Sequence, residues 1–325
     1  MKPKILVTRA VFSDVIDLLE QHFELESNQD DQIYSESELI AKLRDKDGVF
    51  TTPSERISAE VIAANVQLKA ICNMAVGFNN IDLDAATRAG IMVTNTPEVL
   101  NQTTADFAWA LMLAAARRVT EAEHWLRAGQ WQKWRFDSFL GADVHGATLG
   151  ILGMGRIGQA IARRSLGFDM RVLYHNRSRL PLEQEAHANN ASLVSKEELL
   201  RSADHLILVL PYSQQTHHAI GAAELAMMKP GATLVNIARG GIVDDAALIA
   251  ALRERRIAAA GLDVFENEPR FHPDFLSLSN VVLTPHIASA SESTRRAMAF
   301  CAAENLIAAL SGAQPQNILN PEVRE

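Results

Sequence analysis

The sequence is poor in cysteine, in positive charge and in long apolar runs. Only two cysteines occur in 325 residues, and the spacing of Cys72 and Cys301 fits neither a metal site nor a disulfide framework. Lysine and arginine number 31 against 39 acidic residues, and this net charge of −8 argues against non-specific nucleic-acid binding. No apolar stretch reaches the ~18 residues of a membrane span. We therefore expect no metal, no nucleic-acid partner and no membrane insertion.

The remaining composition is that of a globular protein. Hydrophobic residues make up 48% and charged residues 22% of the chain, and its length corresponds to about two domains. The first residues, MKPKILVTRA, become polar too soon for a signal peptide, so we expect a cytoplasmic location.

Strand-like and helix-like segments alternate along most of the chain. Short apolar segments typical of buried strands lie at residues 4–8, 48–51 and 68–72. Segments with helical periodicity lie at residues 11–22, 39–43, 59–64 and 101–118. From Thr148 onward the candidate strands are LGILG, MRVLY, HLILVL, ATLVNI, AAAGLDVF and VVLTP. The pattern predicts an α/β protein with two doubly wound parallel-sheet domains.

Two further segments suggest how the domains are divided. Residues 130–146 are rich in Trp, Gly and Asp and are predicted to form a connector. Residues 293–311 have helical periodicity, and we expect this last helix to return to the first domain. We predict a discontinuous domain of residues 1–99 and 291–325 and a second domain of residues 100–290.

A GxGxxG sequence, GMGRIG at residues 153–158, separates a predicted strand from a predicted helix. Gly153 would permit a tight turn, Gly155 would let the backbone approach a pyrophosphate, and Gly158 would let the helix pack closely. The free N–H groups at a helix start favour phosphate binding. A structural turn without a ligand is the alternative, but the strand–turn–helix context favours a dinucleotide site.

The residue at the end of the next predicted strand bears on the choice of cofactor. About 20 residues beyond the glycine turn, an NAD enzyme prefers a carboxylate for the ribose hydroxyls, but this chain has Asn176. An asparagine does not repel a 2′-phosphate, and Arg177, Ser178 and Arg179 add hydrogen-bond donors. A basic, solvated loop is the alternative. We predict NADP(H) as the preferred cofactor and NAD(H) as the second choice.

Arg239, Glu268 and His286 each follow a predicted strand. Because ligands bind at the carboxyl ends of strands in open α/β sheets, we expect the three side chains to converge beside the cofactor. Hydride transfer to a keto carbon leaves an alkoxide, which an imidazole such as His286 can protonate. Glu268 can fix the imidazole tautomer, and Arg239 can bind a substrate carboxylate and polarise the carbonyl. Each residue alone could be structural, but together they favour catalysis.

Three motifs, MMKPGATLVNIARGGIVDDAAL (residues 227–248), GLDVFENEP and TPHIAS, resemble those of the D-isomer-specific 2-hydroxyacid dehydrogenases. Within that family the chain is most similar to glyoxylate/hydroxypyruvate reductases, including those acting on 2-ketogluconate. The resemblance covers nearly the full chain. It implies a Rossmann-type cofactor domain, a smaller flavodoxin-like substrate domain, and reduction of a small 2-keto acid.

The resemblance also implies roles for individual residues. Arg239, Glu268 and His286 would act at the carbonyl. Substrate contacts would also come from the backbone N–H groups of Val76 and Gly77, and Ser289 would lie close by. Cofactor contacts would come from Gly153, Met154, Gly155, Arg156, Ile157, Gly158, Asn176, Arg177, Ser178, Leu210, Pro211, Ile237 and Asp263, the last at the nicotinamide amide.

The resemblance further implies a homodimer in which the long helix after residue 100 packs on the partner. Trp134 matches a tryptophan that reaches the neighbouring subunit's active site, although an ordinary Trp in the dimer core is equally consistent. The chain departs from many relatives at Asn79, where they have Asp, and at Ala288, where they have Gly. Neither departure removes a catalytic group.

Two alternatives to an NADPH-dependent reductase of glyoxylate, hydroxypyruvate or 2-keto-D-gluconate stay open. A D-lactate- or phosphoglycerate-type dehydrogenase would use NADH. The phosphoglycerate hypothesis is weakened by residues 73–80, which contain no cation, and by our expectation that no regulatory domain follows the tail helix. A non-catalytic, dinucleotide-sensing binding protein would carry a peptide cleft and a long disordered tail, and we expect no such tail here.

Overall fold

The computed structural model describes residues 2–324 and divides into two units. One unit comprises Met1–Leu100 with Ser291–Glu325, and the other comprises Asn101–Ala290. Within residues 2–324, none of the helices combines the length and apolar character needed to cross a membrane.

The first unit is built on a five-stranded sheet. Its strands are β1 (Lys4–Val7), β2 (Glu24–Ser27), β3 (Gly48–Thr51), β4 (Ala70–Asn73) and β5 (Met92–Thr94). They run parallel in the order β2-β1-β3-β4-β5, which is the flavodoxin-like order. The helices that connect them are α1 (Ser13–His22), α2 (Glu36–Leu43), α3 (Ala59–Ala64) and α4 (Leu83–Arg88).

The second unit opens with two helices, α5 (Asn101–Ala116) and α6 (Val119–Arg127). Its strands are β6 (Thr148–Leu152), β7 (Arg171–His175), β8 (Ser192–Leu193), β9 (His205–Leu208), β10 (Thr233–Asn236), β11 (Ala259–Leu262) and β12 (Val281–Leu283). The other helices are α7 (Arg156–Arg164), α8 (Leu182–His187), α9 (Lys196–Ser202), α10 (Ala222–Met227) and α11 (Asp245–Arg253).

The seven strands of this second sheet are all parallel, in the order β12-β11-β10-β9-β6-β7-β8. This is the dinucleotide-binding order with one extra edge strand. Because the order reverses between β6 and β9, the crevice at their carboxyl ends is the expected ligand position. The two doubly wound parallel sheets predicted from the sequence are thus confirmed.

The chain returns to the first unit through α12 (Glu292–Leu310). Ser291 caps this helix by accepting a hydrogen bond from the N–H of Thr294. The small face of α12, which includes Ala299, Ala302 and Ala303, packs with Ile5, Phe50 and Cys72 of the sheet in one buried cluster. Helices α2, α3 and α4 belong to a second cluster. Both faces of the sheet are therefore covered, which is why β1, β3, β4 and β5 are mostly apolar and buried, whereas the edge strand β2 is not.

Candidate active site

The glycine turn follows β6 and has a conformation that requires glycine. Gly153 has φ +100°, and a Cβ there would lie 2.8 Å from the N atom of Leu210. A Cβ at Gly158 would lie 2.5 Å from the Gly153 carbonyl oxygen. Glycine at these two positions lets the turn and α7 pack tightly beside β9.

Gly155 differs from its two neighbours, because a Cβ there would meet nothing within 4 Å. Its lack of a side chain therefore does not serve internal packing, and it leaves the backbone open to a ligand. Gly155 is also the N-cap of α7, where no side chain caps the helix. The first N–H groups of a helix have no intrahelical acceptor and attract phosphate. These residues fit the pyrophosphate of a dinucleotide.

The turn after β7 carries the residues predicted to recognise the adenosine ribose. The Oδ1 atom of Asn176 accepts a hydrogen bond from the Met154 N–H at 2.8 Å, which ties this turn to the glycine turn. Arg177 and Ser178 are exposed. The Asn176 amide therefore keeps its NH₂ donors in the region where the ribose is expected.

Arg179, also predicted as a donor for the cofactor, makes a different contact. Its guanidinium binds both carboxylate oxygens of the buried Glu185, with Nη2 to Oε2 at 2.8 Å. The hydroxyl of Tyr174 also donates to Glu185, at 2.6 Å. The hydrogen bonds from Arg179 and Tyr174 hold the pKa of Glu185 below its usual range. A buried carboxylate needs such a partner, so Arg179 anchors the end of the turn.

Arg239 lies in the turn after β10, three residues beyond the end of the strand at Asn236. The next residue, Gly240, explains how this turn approaches the chain that follows β11. A Cβ at Gly240 would lie 1.7 Å from the carbonyl oxygen of Phe265, so only glycine fits. Arg239 is half-buried, and its Nη1 donates to the Ala238 carbonyl at 2.7 Å. Burial lowers the pKa of Arg239, and the charge of Glu268 opposes that effect.

Glu268 and His286 form a hydrogen-bonded pair, with Oε2 of Glu268 2.8 Å from Nδ1 of His286. The other carboxylate oxygen of Glu268 accepts the N–H of Phe265 at 2.8 Å. Burial alone would raise the pKa of Glu268. The hydrogen bond and charge of His286, the Phe265 N–H and the charge of Arg239 together hold the pKa below its usual value. The three predicted catalytic residues thus lie together, after adjacent parallel strands.

Asp263 organises the segment that carries His286. His286 has φ +53°, a left-handed conformation uncommon for a residue with a side chain, and its N–H donates to the Asp263 carbonyl at 3.0 Å. The Asp263 carboxylate accepts hydrogen bonds from the Thr284 hydroxyl (2.7 Å) and from the N–H groups of Ile287 and Ala288 (2.8 Å each). Burial raises the pKa of Asp263, and these hydrogen bonds counteract it.

The sequence placed Asp263 only at the nicotinamide amide and missed its contacts with this segment. The signal available was the short span TPHIAS directly after a buried strand, which leaves several backbone N–H groups in need of an acceptor. Gly240 was also overlooked, although a doubled glycine after Arg239 is a sign of close backbone approach.

The remaining predicted residues occupy less distinctive positions. Leu210 and Pro211 follow β9, and the Pro211 carbonyl accepts a hydrogen bond from Thr216. Ile237 is 7% exposed and belongs to the core of the second unit. Ser289 is half-buried just beyond the His286 segment. Val76 and Gly77 lie in the first unit, after β4.

The three side chains Arg239, Glu268 and His286 together suit one type of reaction. A fixed cation, an imidazole and a carboxylate that orients the imidazole suit the reduction of a carbonyl next to a carboxylate. Because Nδ1 of His286 is occupied by Glu268, Nε2 is the nitrogen that can exchange a proton with a substrate oxygen. No group of three or more His, Cys, Asp or Glu side chains within residues 2–324 is arranged to hold a metal ion.

Comparisons with known proteins identify the family of the chain. The profile of the D-isomer specific 2-hydroxyacid dehydrogenase, NAD binding domain, matches residues 109–288. The glyoxylate reductase of Thermococcus onnurineus is 50% identical over 328 residues, covering 99% of this chain and 97% of that protein.

Solved structures extend the likeness to the whole fold. The NADPH-dependent glyoxylate/hydroxypyruvate reductase of Sinorhizobium meliloti, in complex with NADP and malonate, has a TM-score of 0.87 and 35% identity, covering 98% of this chain and 97% of that one. A glyoxylate reductase from Paecilomyes thermophila has a TM-score of 0.89 and 34% identity, covering 99% of both chains. The chain belongs to the D-isomer-specific 2-hydroxyacid dehydrogenase family.

Proposed function

We propose that the protein reduces glyoxylate and related small 2-keto acids to D-2-hydroxy acids, with NADPH as its preferred cofactor. The observation that carries the proposal is the 2.8 Å contact between Glu268 and His286, next to the half-buried Arg239. Relatives named as glyoxylate reductases, among them one that is 50% identical over nearly the full chain, support the substrate class.

The proposed mechanism divides the work among these side chains. Arg239 binds the substrate carboxylate and the carbonyl oxygen and so stabilises the negative charge that develops there. A bound nicotinamide dinucleotide supplies the hydride. His286 donates a proton from Nε2 to the developing alkoxide and becomes neutral, and Glu268 stabilises its charged form before that step. Val76 and Gly77 would add backbone N–H groups to the carboxylate, and Ser289 would lie beside the substrate.

The experiment that tests this function is a panel of kcat/KM values. Glyoxylate, hydroxypyruvate, pyruvate and 2-keto-D-gluconate are each assayed with NADPH and with NADH. We expect turnover of glyoxylate and hydroxypyruvate, and a loss of about 10²–10⁴-fold in His286→Ala, the range of a positioned general acid. The exposed His187, in α8, provides the control His187→Ala. Equal activity in the two variants, or preference for pyruvate with NADH, would contradict the proposal.

The preference for NADPH rests on Asn176. A carboxylate at this position would repel a 2′-phosphate, whereas the asparagine amide and the exposed Arg177 and Ser178 can donate to it. The Sinorhizobium meliloti relative, described as NADPH-dependent and crystallised with NADP, supports the same choice. The contacts predicted for Met154, Arg156, Ile157, Leu210, Pro211, Ile237 and Asp263 belong to this proposal.

The replacement Asn176→Asp keeps the size of the side chain and its acceptor for the Met154 N–H. We expect the ratio of kcat/KM with NADPH to that with NADH to fall by about tenfold, because one close charge repulsion near a protein surface costs about 1–4 kcal/mol and tenfold corresponds to ~1.4 kcal/mol. An unchanged ratio would remove the assignment.

A homodimer is also proposed, since the segment after α6 exposes several large apolar side chains. Trp131, Trp134 and Phe136 are 60%, 78% and 80% exposed, a cluster of the kind that marks an interaction surface. Sedimentation equilibrium should give about twice the chain mass, and Trp134→Ala should lower activity if this side chain reaches the partner's site. A monomeric mass would contradict the homodimer. Full activity in Trp134→Ala would contradict a role of this side chain in the partner's site. The cytoplasmic location stays a proposal that cell fractionation can check.

A further inference from the structure

The loop after β4 presents a row of backbone N–H groups whose orientation can be traced to specific anchors. Its residues Val76, Gly77 and Phe78 are half-buried to exposed. Among residues 2–324, no acceptor pairs with the N–H groups of these three residues. Successive free backbone N–H groups form sites that bind anions.

The carbonyl groups of the same loop, in contrast, are all held. The Ala75 carbonyl accepts the N–H of Thr96 at 2.9 Å. The Val76 carbonyl accepts Nδ2 of Asn95 at 2.8 Å, and the Gly77 carbonyl accepts Nδ2 of Asn73 at 2.9 Å. Three consecutive peptide groups are therefore fixed by one hydrogen bond each.

Because the peptide group is planar, the anchored carbonyl groups also fix the direction of the N–H groups. In a trans peptide the N–H of one residue points opposite to the C=O of the residue before it. Holding the carbonyls of Ala75, Val76 and Gly77 thus directs the N–H groups of residues 76–78 away from the anchoring side chains. All anchors come from the carboxyl ends of β4 and β5, so the three N–H groups face away from that edge of the sheet.

The two asparagines are themselves held by further contacts. Asn73 is fully buried, and its Nδ2 also contacts Oδ1 of Asn80 at 3.3 Å. Asn95 is 7% exposed, its carbonyl accepts Nδ2 of Asn305 from α12 at 3.2 Å, and its N–H donates to the Asn317 carbonyl at 3.2 Å. The Asn73 side chain is thus held at Nδ2 and the Asn95 backbone at both its polar groups, and groups that are held in place before a ligand binds favour preorganisation.

We propose that Asn73 and Asn95 are positioning residues that orient residues 76–78 as a carboxylate-binding site, with the Phe78 N–H as its third donor. The inference rests on the proposed function, because it assigns the substrate's carboxylate to this loop. Neither asparagine touches the substrate itself. Their effect is therefore on KM for the acid rather than on the chemical step.

The test compares Asn73→Ala and Asn95→Ala with Asn65→Ala. Asn65 is a matched control because it is 1% exposed in the same unit, and its Nδ2 makes one hydrogen bond, to the Val61 carbonyl at 2.7 Å. Circular dichroism checks folding, and Asn95→Ser replaces Asn95→Ala if the latter fails to fold. A serine hydroxyl is too short to replace the amide contact.

We expect KM for glyoxylate to rise about tenfold in Asn73→Ala and Asn95→Ala, which is the loss of one well-placed hydrogen bond. The kcat value should change less than threefold, and NADPH affinity, measured by fluorescence, less than twofold. Asn65→Ala should leave all three within twofold. A rise in KM that is the same in the control and in the two variants would overturn the proposal.

A second measurement does not depend on turnover. Selective ¹⁵N labelling of Val, Gly and Phe reports the amides of residues 76–78 while the protein is titrated with oxamate, a carboxylate analogue of the substrate. The three amide signals should shift in the wild type and in Asn65→Ala, and require about tenfold more oxamate in the other two variants. Amides that do not respond in the wild type would refute the inference. Amides that respond in a protein unable to reduce glyoxylate would instead refute the proposed function.

Discussion

Replacing Glu268 by glutamine is the sharpest perturbation of the proposed site. The carboxylate has two partners, the Phe265 N–H at Oε1 and Nδ1 of His286 at Oε2, both at 2.8 Å. A glutamine can satisfy only one of them as an acceptor. If its oxygen keeps the Phe265 N–H, its NH₂ group faces Nδ1 and disfavours the doubly protonated imidazolium that donates the proton.

The size of the effect follows from the bond that is lost. A hydrogen bond to a charged group contributes about 1.5–3 kcal/mol, which corresponds to about a 10- to 150-fold lower kcat/KM for glyoxylate. The pKa of Glu268 lies below its usual value, so its carboxylate is ionised at neutral pH. The stability contributed by the Glu268–His286 pair is therefore present above the unfolded-state pKa of a glutamate, near 4.3, and is lost as the pH falls through the lower folded-state pKa.

A matched control lies two residues earlier in the same segment. Glu266 also pairs with a histidine, His218, through Oε1 and Nε2. Glu266→Gln therefore removes a carboxylate–imidazole pair of the same type without touching His286. The assay is steady-state oxidation of NADPH with glyoxylate from pH 5.5 to 9. If Glu268→Gln loses no more activity than Glu266→Gln, the role given to Glu268 is wrong.

Two further predictions concern stability. Gly240→Ala should destabilise the fold by about 3 kcal/mol or more in urea titrations, because its Cβ would lie 1.7 Å from the Phe265 carbonyl oxygen. The control Gly231→Ala, whose Cβ meets nothing within 4 Å, should change the free energy of unfolding by less than about 1 kcal/mol. Equal effects of the two replacements would contradict the packing argument. Burial raises the pKa of Asp245 to about 6, so the native state binds the proton of this carboxyl group more tightly than the unfolded state does. The stability that comes from this tighter proton binding is present below about pH 4 and is lost as the pH rises through about 6. Asp245→Asn should therefore stabilise the protein by up to about 3 kcal/mol at pH 8 and by much less at pH 4, and a pH-independent difference would refute the assignment.

The elements that the sequence predicted well are those with a buried, periodic pattern. The strand at Gly48–Thr51 and the helix at Ala59–Ala64 have the predicted bounds. The long helix was expected to reach residue 118 but ends at Ala116. Arg118 has a left-handed backbone conformation, with φ +55°, which cannot continue the helix and turns the chain. Strong local patterns are sufficient to predict such elements, and only their ends depend on neighbouring structure.

Elements without a buried face were not predicted. The edge strand Glu24–Ser27 consists of two glutamates, one leucine and one serine, and no residue in it is fully buried. The helix Val119–Arg127 likewise buries none of its residues within this chain. In a short edge strand whose residues are only partly buried, hydrophobic periodicity carries no clear signal.

For the site, the sequence pointed to the side chains that are proposed to act but not to the contacts that hold them. Glu268 and His286 could be paired in advance because their motifs follow predicted strands. Two of these contacts are the close approach of Gly240 to Phe265 and the three hydrogen bonds that the Asp263 carboxylate accepts. Both depend on distances between loops that are far apart along the chain. Local sequence patterns do not encode such distances.

The position of α12 affects how the protein folds during synthesis. This helix buries Ala299, Ala302 and Leu306 against strands made at the beginning of the chain, yet residues 101–290 are translated in between. At about 5–20 residues per second, that interval lasts roughly 10–40 s. Throughout this interval, one face of the first sheet is covered on the ribosome by α1 but not by α12. Nascent chains stalled before residue 291 should therefore recruit chaperones or aggregate, even when the second unit has already folded.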